Sequence, residues 1–391
     1  MRTTEYLIIG AGAAGSTMGY LLRKAGKDVL TLEMLDARTK NKLCAGLLEP
    51  PAERAFFNVF GMTMDEAGLD PQPIVKLHLL CGERELVKPL PNMAADPKAA
   101  APASQLEEKQ NNFGEIIRSY LLRGGKAAAR KILRHALGYG DHDVASYRAL
   151  PRKRLDDYLL TRYQENGGQV LDRTTICSLD VKAHVATCID LRTKEKFTVS
   201  YKTLIGADGA ASVVRRMLTG KMQNHALILE ASVPLIREET VVEFASGAKG
   251  YSWYAPRGED ATLGCGYHEL GKKDSGVCRQ RLQDFAERLG LKEIKHLRGA
   301  LLPKGNDVLL QPGEDVYLLG DAAGLADPFT GGGIHYAMVS AQLLTNALLG
   351  GEPYEEAMAP YVRNLGKHYG NLGIYFRTAC QFISRLGKKV S

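Results

Sequence analysis

The sequence predicts an α/β fold: a domain of parallel strands wound with helices, an antiparallel sheet domain inserted into it, and a helical C-terminal region. Three observations predict it. Residues 5–33 read strand, glycine turn, helix, strand, acidic residue. Two later apolar strands, near residues 204 and 316, each deliver an aspartate into a glycine-rich turn. Between them, residues 226–270 alternate with the period of two that marks half-buried strands.

The first element is Tyr6-Leu7-Ile8-Ile9, which feeds Gly10-Ala11-Gly12-Ala13-Ala14-Gly15. Gly10 allows a tight turn, Gly12 lets a pyrophosphate approach the backbone, and Gly15 lets the helix pack closely on the strand. The helix opening at Ala13 and Ala14 offers free N–H groups and a positive dipole to phosphates. The second strand ends at Glu33, followed by Met34. A carboxylate there accepts hydrogen bonds from ribose hydroxyls and repels a 2′-phosphate, so FAD or NAD is expected rather than NADP.

Extended signals return at 74–80, and the Ala- and Pro-rich 93–104 reads as a loop or hinge. Residues 105–137 look helical, broken at Gly124-Gly125, and 92–146 as a whole resembles a helical insertion or lid. A helix follows at 153–166, with Leu155, Tyr158, Leu159 and Tyr163 on one face. Hairpin-like alternation occupies 175–201, and Thr203-Leu204-Ile205 forms a separate strand leading to Asp208 and Gly209. A helix is expected at 277–290 and a buried strand at 316–319, just before Gly320 and Asp321. Asp321 suits a sugar-like hydroxyl chain. Seven residues on, Pro328-Phe329-Thr330-Gly331-Gly332-Gly333-Ile334 opens a core helix at 332–349. Its glycines let N–H groups reach a ring carbonyl, and its dipole favours negative charge on a reduced ring. The expected domains are nucleotide-binding (1–75, 147–220, 300–350), substrate-binding sheet (76–91, 221–299), insertion (92–146) and basic helical C-terminus (351–391).

Composition sets the setting. At 391 residues, 45% hydrophobic and 24% charged, the chain can fill a large core. Residues 1–5 run straight into a strand, so no signal peptide is expected. Asp321, Asp327 and Pro328 break the most apolar late stretch, which argues against a membrane span there. Seven cysteines without a CxxC pair fit neither a disulfide framework nor a metal site, and imply a reducing, cytoplasmic setting. The net charge of +7 concentrates in 113–137 and in 357–391, where six basic residues and no acidic ones are interleaved with aromatics. Such stretches are either solvated helix faces or surfaces for peripheral membrane contact. No nucleic-acid module accompanies them, so nucleic acid is not an expected partner.

The order GxGxxG, GADG, GDAAG and PxxGGGI resembles the FAD-dependent group of aromatic hydroxylases, flavin halogenases and geranylgeranyl reductases. Two features resemble the geranylgeranyl reductase branch. Lys42-Leu43-Cys44-Ala45-Gly46 is similar to its cysteine–glycine motif beside the flavin, and Gly250-Tyr251-Ser252-Trp253-Tyr254-Ala255-Pro256 with Gly264-Cys265-Gly266 is similar to its prenyl-cavity signature. Arg152 matches an arginine near the FAD phosphates. The chain departs from the pattern at Ala45, Leu47 and Ala255, all on the substrate side.

The resemblance implies a glutathione-reductase-like FAD-binding Rossmann domain and reduction of carbon–carbon double bonds in a prenyl or other lipid-like small molecule. With no second GxGxxG, the reductant is external: NAD(P)H docking at the flavin, or a redox partner protein such as ferredoxin. The alternatives are a flavin monooxygenase or halogenase of an aromatic or polycyclic compound, and a non-catalytic FAD-bearing lipid carrier or sensor. Tyr251 and Trp253, two apart on a strand, form either a substrate wall or plain core. Cys44 either tunes the flavin or packs as a small apolar residue, and His335 is either a proton shuttle or a packed histidine.

Overall fold

The computed structural model describes residues 1–90, 147–270 and 274–389. The helical reading of 105–137 and the insertion at 92–146 lie outside them. Two large sheets organise the rest. In the first, Arg2–Ile9 sits centrally, parallel to Val29–Leu32 on one side and to the long strand Lys196–Gly206 on the other. Gln169–Leu171 extends the parallel set, and Val316–Leu318 joins it at the far end of Lys196–Gly206. Ile8, flanked by Thr31 and Ile205, is wholly buried, as befits a strand covered on both faces.

The strand Lys196–Gly206 corrects one expectation. It is continuous where the sequence pattern suggested a hairpin followed by a separate strand. Its first half pairs antiparallel with Val185–Asp190, and its last residues pair parallel with Val316–Leu318. The alternating and the uniformly apolar patterns are therefore two halves of one strand.

The second sheet has eight strands, in the order Arg298–Pro303, His225–Pro234, Asp260–Tyr267, Gly250–Pro256, Thr240–Phe244, Lys76–Cys81, Arg84–Pro89 and Lys388–Lys389. One face packs on the helix Ser275–Arg288 through Leu229, Leu263, Cys265 and Phe285. The opposite face looks toward the nucleotide-binding turn. Helices Ala13–Lys24, Arg152–Glu165 and Ile334–Leu348 cover the first sheet.

The 33-residue helix Tyr354–Leu386 closes the molecule. Leu372, Tyr375, Phe376, Ala379, Phe382 and Ile383 recur at helical spacing and bury against Leu77, Leu79, Phe244 and Phe329. The aromatic residues that could have faced a membrane are therefore largely spent on the core, while Arg377, Arg385, Lys388 and Lys389 are exposed. Among the described residues no helix is long and apolar enough to cross a membrane.

Candidate active site

The site lies between the two sheets and begins at the first glycine turn. Gly10 adopts a φ of 101°, and a Cβ there would stand 2.5 Å from the Ala207 carbonyl oxygen. At Gly15 a Cβ would stand 1.9 Å from the Gly10 oxygen, so helix and turn meet at backbone contact. At Gly12 a Cβ would meet nothing within 4 Å. That open space faces the start of helix Ala13–Lys24, whose first N–H groups point outward.

Glu33 is buried at the end of its strand. It accepts the Ala11 N–H at 3.0 Å and the Leu35 N–H at 2.9 Å, and pairs with Lys40 at 2.6 Å. Met34 next to it is exposed, in a surface cavity shared with Lys40, Arg173 and Arg192. Asp321 follows Val316–Leu318 in a short 3-10 turn and accepts Lys42 Nζ at 2.8 Å. A Cβ on Gly333 would lie 3.0 Å from its Oδ1, so the glycine loop and this carboxylate are in direct apposition. Arg152 is buried on the cavity wall and bonds Asp156 at 2.9 Å. Burial works against its charge, but Asp156, Cys44 and Asp321 outweigh it and raise its pKa.

The loop 328–333 is built by Asp327, which accepts the Phe329 and Thr330 N–H groups at 2.9 and 2.8 Å. Asp327 also pairs at 2.5 Å with His368 from the C-terminal helix. Gly331, Gly332, Gly333 and Ile334 line the cavity. The Tyr251 hydroxyl donates to the Thr330 oxygen at 2.5 Å and ties the second sheet to this loop. Tyr251 and Trp253 meet edge to face, 5.9 Å between centroids. Cys44 and Ala45 line the cavity, and Gly46 donates its N–H to Cys44 Sγ at 3.4 Å.

Asp208 lies off the cavity wall: its Oδ2 accepts the Val213 and Val214 N–H groups at 2.7 and 3.2 Å and caps the helix Val213–Thr219. A short acidic side chain just before a helix finds those unpaired donors first. Gly209 does line the cavity. His335 faces the cavity too, but burial, helped by Arg54, pushes its pKa down to about 4. At that value the ring is neutral across the physiological range.

Two further carboxyls on the cavity wall were not singled out from sequence: Glu49 and Glu230. Burial pushes each up to about 7; Asp327 adds to the effect at Glu49, and the Cys44 N–H partly offsets it at Glu230. Each is a lone acid in an apolar stretch, which is visible in the sequence; its burial is not.

The cavity, about 280 Å³, runs from the glycine turn past Asp321 to the face of the second sheet. A flavin dinucleotide suits these residues. Gly12 leaves room where a pyrophosphate would meet the helix, Glu33 and Asp321 offer carboxylates to ribose and ribityl hydroxyls, and the 331–333 backbone borders the remaining space.

Fold and site together define an FAD-dependent oxidoreductase. The chain belongs to the FAD binding domain family, whose sequence profile matches residues 3–266. It is 27% identical over 389 residues to a digeranylgeranylglycerophospholipid reductase of Methanocaldococcus jannaschii, covering 93% of this chain and 83% of that one. Its fold resembles a geranylgeranyl bacteriochlorophyll reductase-like protein from Thermoplasma acidophilum, with a TM-score of 0.65 at 20% identity over 99% of this chain and 89% of that one. It also resembles a probable FAD-dependent monooxygenase from Pseudomonas aeruginosa, with a TM-score of 0.62 at 18% identity over 98% and 100% of the two chains.

Proposed function

We propose that the protein reduces carbon–carbon double bonds of a prenyl or other lipid-like substrate. Reductases and a monooxygenase share this fold, so the fold alone does not choose the chemistry. The lining of the cavity carries the reading. Beyond Cys44 and the 331–333 loop it is walled by Leu77, Leu79, Ile228, Val242, Phe244 and Trp253, an apolar space for a hydrocarbon chain.

Gly10, Gly12, Ala13, Ala14 and Gly15 would hold the pyrophosphate, Glu33 and Met34 the adenosine end, Arg152 and Asp321 the middle, and Gly331 to Ile334 with Cys44 to Gly46 the ring. FAD supplies hydride chemistry when bound. Tyr251 fixes the distance between loop and sheet through its bond to Thr330. Trp253 positions the chain to be reduced, and the apolar walls exclude water from it. The reductant is external, either NAD(P)H or a redox protein such as ferredoxin. In a cytoplasmic setting, the exposed Arg377, Arg385, Lys388 and Lys389 would favour encounter with an anionic membrane surface that holds the substrate.

The test is to reduce the purified flavoprotein anaerobically, offer prenyl lipids and aromatics, and weigh the products. Two added hydrogens are expected on a prenyl lipid. Oxygen incorporated into an aromatic, and only after air is admitted, would overturn the reading. Trp253→Ala should lose turnover with FAD retained.

A further inference from the structure

The second sheet places one acid in an otherwise apolar row. Glu230 pairs with Gly264, and Gly264 pairs on its other side with Trp253. Directly opposed residues of antiparallel strands share a face, so the three stand abreast on the face turned to the cavity. Gly264 contributes no side chain. A Cβ there would fall 2.2 Å from Trp253 Cζ2 and 2.6 Å from Cε2, so the indole lies across the glycine, toward Glu230. The next cross-strand neighbours of Trp253 are Val242 and Leu79.

Glu230 is 3% exposed. Its Oε1 accepts the Cys44 N–H at 3.1 Å, and its Oε2 is buried with no hydrogen-bond partner among the described residues. Trp253 Nε1, on the same wall, is likewise without one. The charged groups that bear on Glu230 are Arg257, Arg298 and Asp260. Arg257 is engaged by Asp260 through two bonds of 2.8 and 2.9 Å, and Arg298 donates to the Asn41 oxygen at 3.0 Å. No cation is in ion-pair contact with the Glu230 carboxyl among the described residues. A buried carboxyl so placed keeps its proton to about pH 7.

We propose that Glu230 is the catalytic acid of this site, donating its proton to a substrate double bond laid against Trp253. The inference rests on the double-bond reduction proposed above. The O–H bond of Glu230 breaks, and the π pair of the alkene forms the new C–H bond. The adjacent carbon, left electron-poor beside the indole face, would accept the hydride that reduced FAD supplies when bound. The alkene would end two electrons and two hydrogens richer, the electrons coming from the reduced FAD that is thereby oxidised, and the Glu230 carboxylate would recover its proton from water. The other candidates suit this less well: His335 is neutral, the Tyr251 proton is held on the Thr330 oxygen, and Glu49 lies against Gly332 at the loop rather than in the row with Trp253.

The test uses FAD-loaded wild-type and Glu230→Gln protein. Geranylgeranyl dimethylamine, cationic when bound, and the neutral geranylgeraniol are titrated while flavin absorbance is followed, between about pH 5.5 and 8.5. In wild type the amine should bind roughly tenfold more tightly at the upper end as the carboxyl ionises, and the alcohol should not change. Because Glu49 on the same wall is also pushed up to about 7, the comparison is made in a Glu49→Gln background, where Glu230→Gln should lose that rise and keep alcohol binding. After anaerobic reduction, reoxidation by geranylgeraniol should slow by about 100-fold or more in Glu230→Gln, at equal flavin content. An amine rise that survives when Glu49→Gln and Glu230→Gln are combined, or reoxidation of Glu230→Gln at the wild-type rate, would overturn the proposal. Wild-type protein that never reduces the alkene overturns the proposed function instead, and the amine titration still reports on Glu230.

Discussion

A single methyl group, placed at Gly12 or at Gly15, separates cofactor binding from folding. Gly12 is the N-cap of its helix, with φ −76° and ψ −168°, a backbone that any residue adopts. A Cβ there meets nothing within 4 Å, so Gly12→Ala should change stability by no more than about 0.5 kcal/mol. The same methyl would stand where a pyrophosphate has to reach the helix N–H groups. Charge-assisted hydrogen bonds contribute about 1.5–3 kcal/mol each, so displacing two weakens FAD binding by at least about 100-fold. At Gly15 the Cβ would be 1.9 Å from a backbone oxygen, roughly 1.5 Å inside van der Waals contact. No side chain there can rotate aside, so helix and turn must part, at about 3 kcal/mol or more. The assays are FAD titration by fluorescence and thermal unfolding of the apoprotein. Gly12→Ala binding FAD as wild type does, or losing as much stability as Gly15→Ala, would refute the assignment of this turn.

Three further outcomes follow from the same geometry. Folding raises the Glu230 pKa from an ordinary 4.5 to about 7, so its contribution to stability is intact below pH 4.5 and lost as pH rises through 7. Glu230→Gln should therefore be more stable than wild type at pH 8, by about 3 kcal/mol at most, and not at pH 4; equal denaturant midpoints at both pH values would contradict this. Burial acts to discharge His368, but Asp327 outweighs it and raises the pKa, so the pair stabilises below pH 6.5 and fades as pH rises through the raised value. His368→Gln should destabilise more at pH 6 than at pH 9, as read by chemical denaturation at each pH. Gly264→Ala should cost about 1–3 kcal/mol and shift the emission of Trp253, the only tryptophan in the chain, because the added methyl meets the indole at 2.2 Å.

Much of the nucleotide-binding half was legible because its determinants are local. Gly10, Gly12, Gly15 and Glu33 act at fixed offsets along one strand–turn–helix–strand unit. Asp208 was less legible, because an acid before a helix is equally a cap and a ligand, and its contacts to Val213 and Val214 appear only in the fold. The Asp327–His368 pair joins residues 41 apart on separate elements, and no spacing rule connects them. Glu49 and Glu230 stood in plain view as acids in apolar runs, Leu47-Leu48-Glu49 and Leu229-Glu230-Ala231. Alternation placed Glu230 with Ile228 and opposite Leu227 and Leu229, but whether that face met water or a closed cavity depended on the other sheet.

The GxG at Gly264 and Gly266 shows why a family-like signature can be a packing requirement with chemical consequences. A Cβ at Gly264 would strike Trp253, and one at Gly266 would fall 2.3 Å from Ile228 Cδ1. The two glycines thus let two large side chains lie flat across one strand, so that the sheet presents a smooth apolar floor. A floor made this way desolvates whatever acid stands at its edge. The Cys44 N–H works against that desolvation, but it reaches only one carboxyl oxygen of Glu230 and leaves the other without a partner. Burial therefore prevails and holds the pKa up at about 7, while a further donor would favour the charged form. In the proposed reaction, substrate shape and proton supply would therefore depend on the same two glycines and one loop.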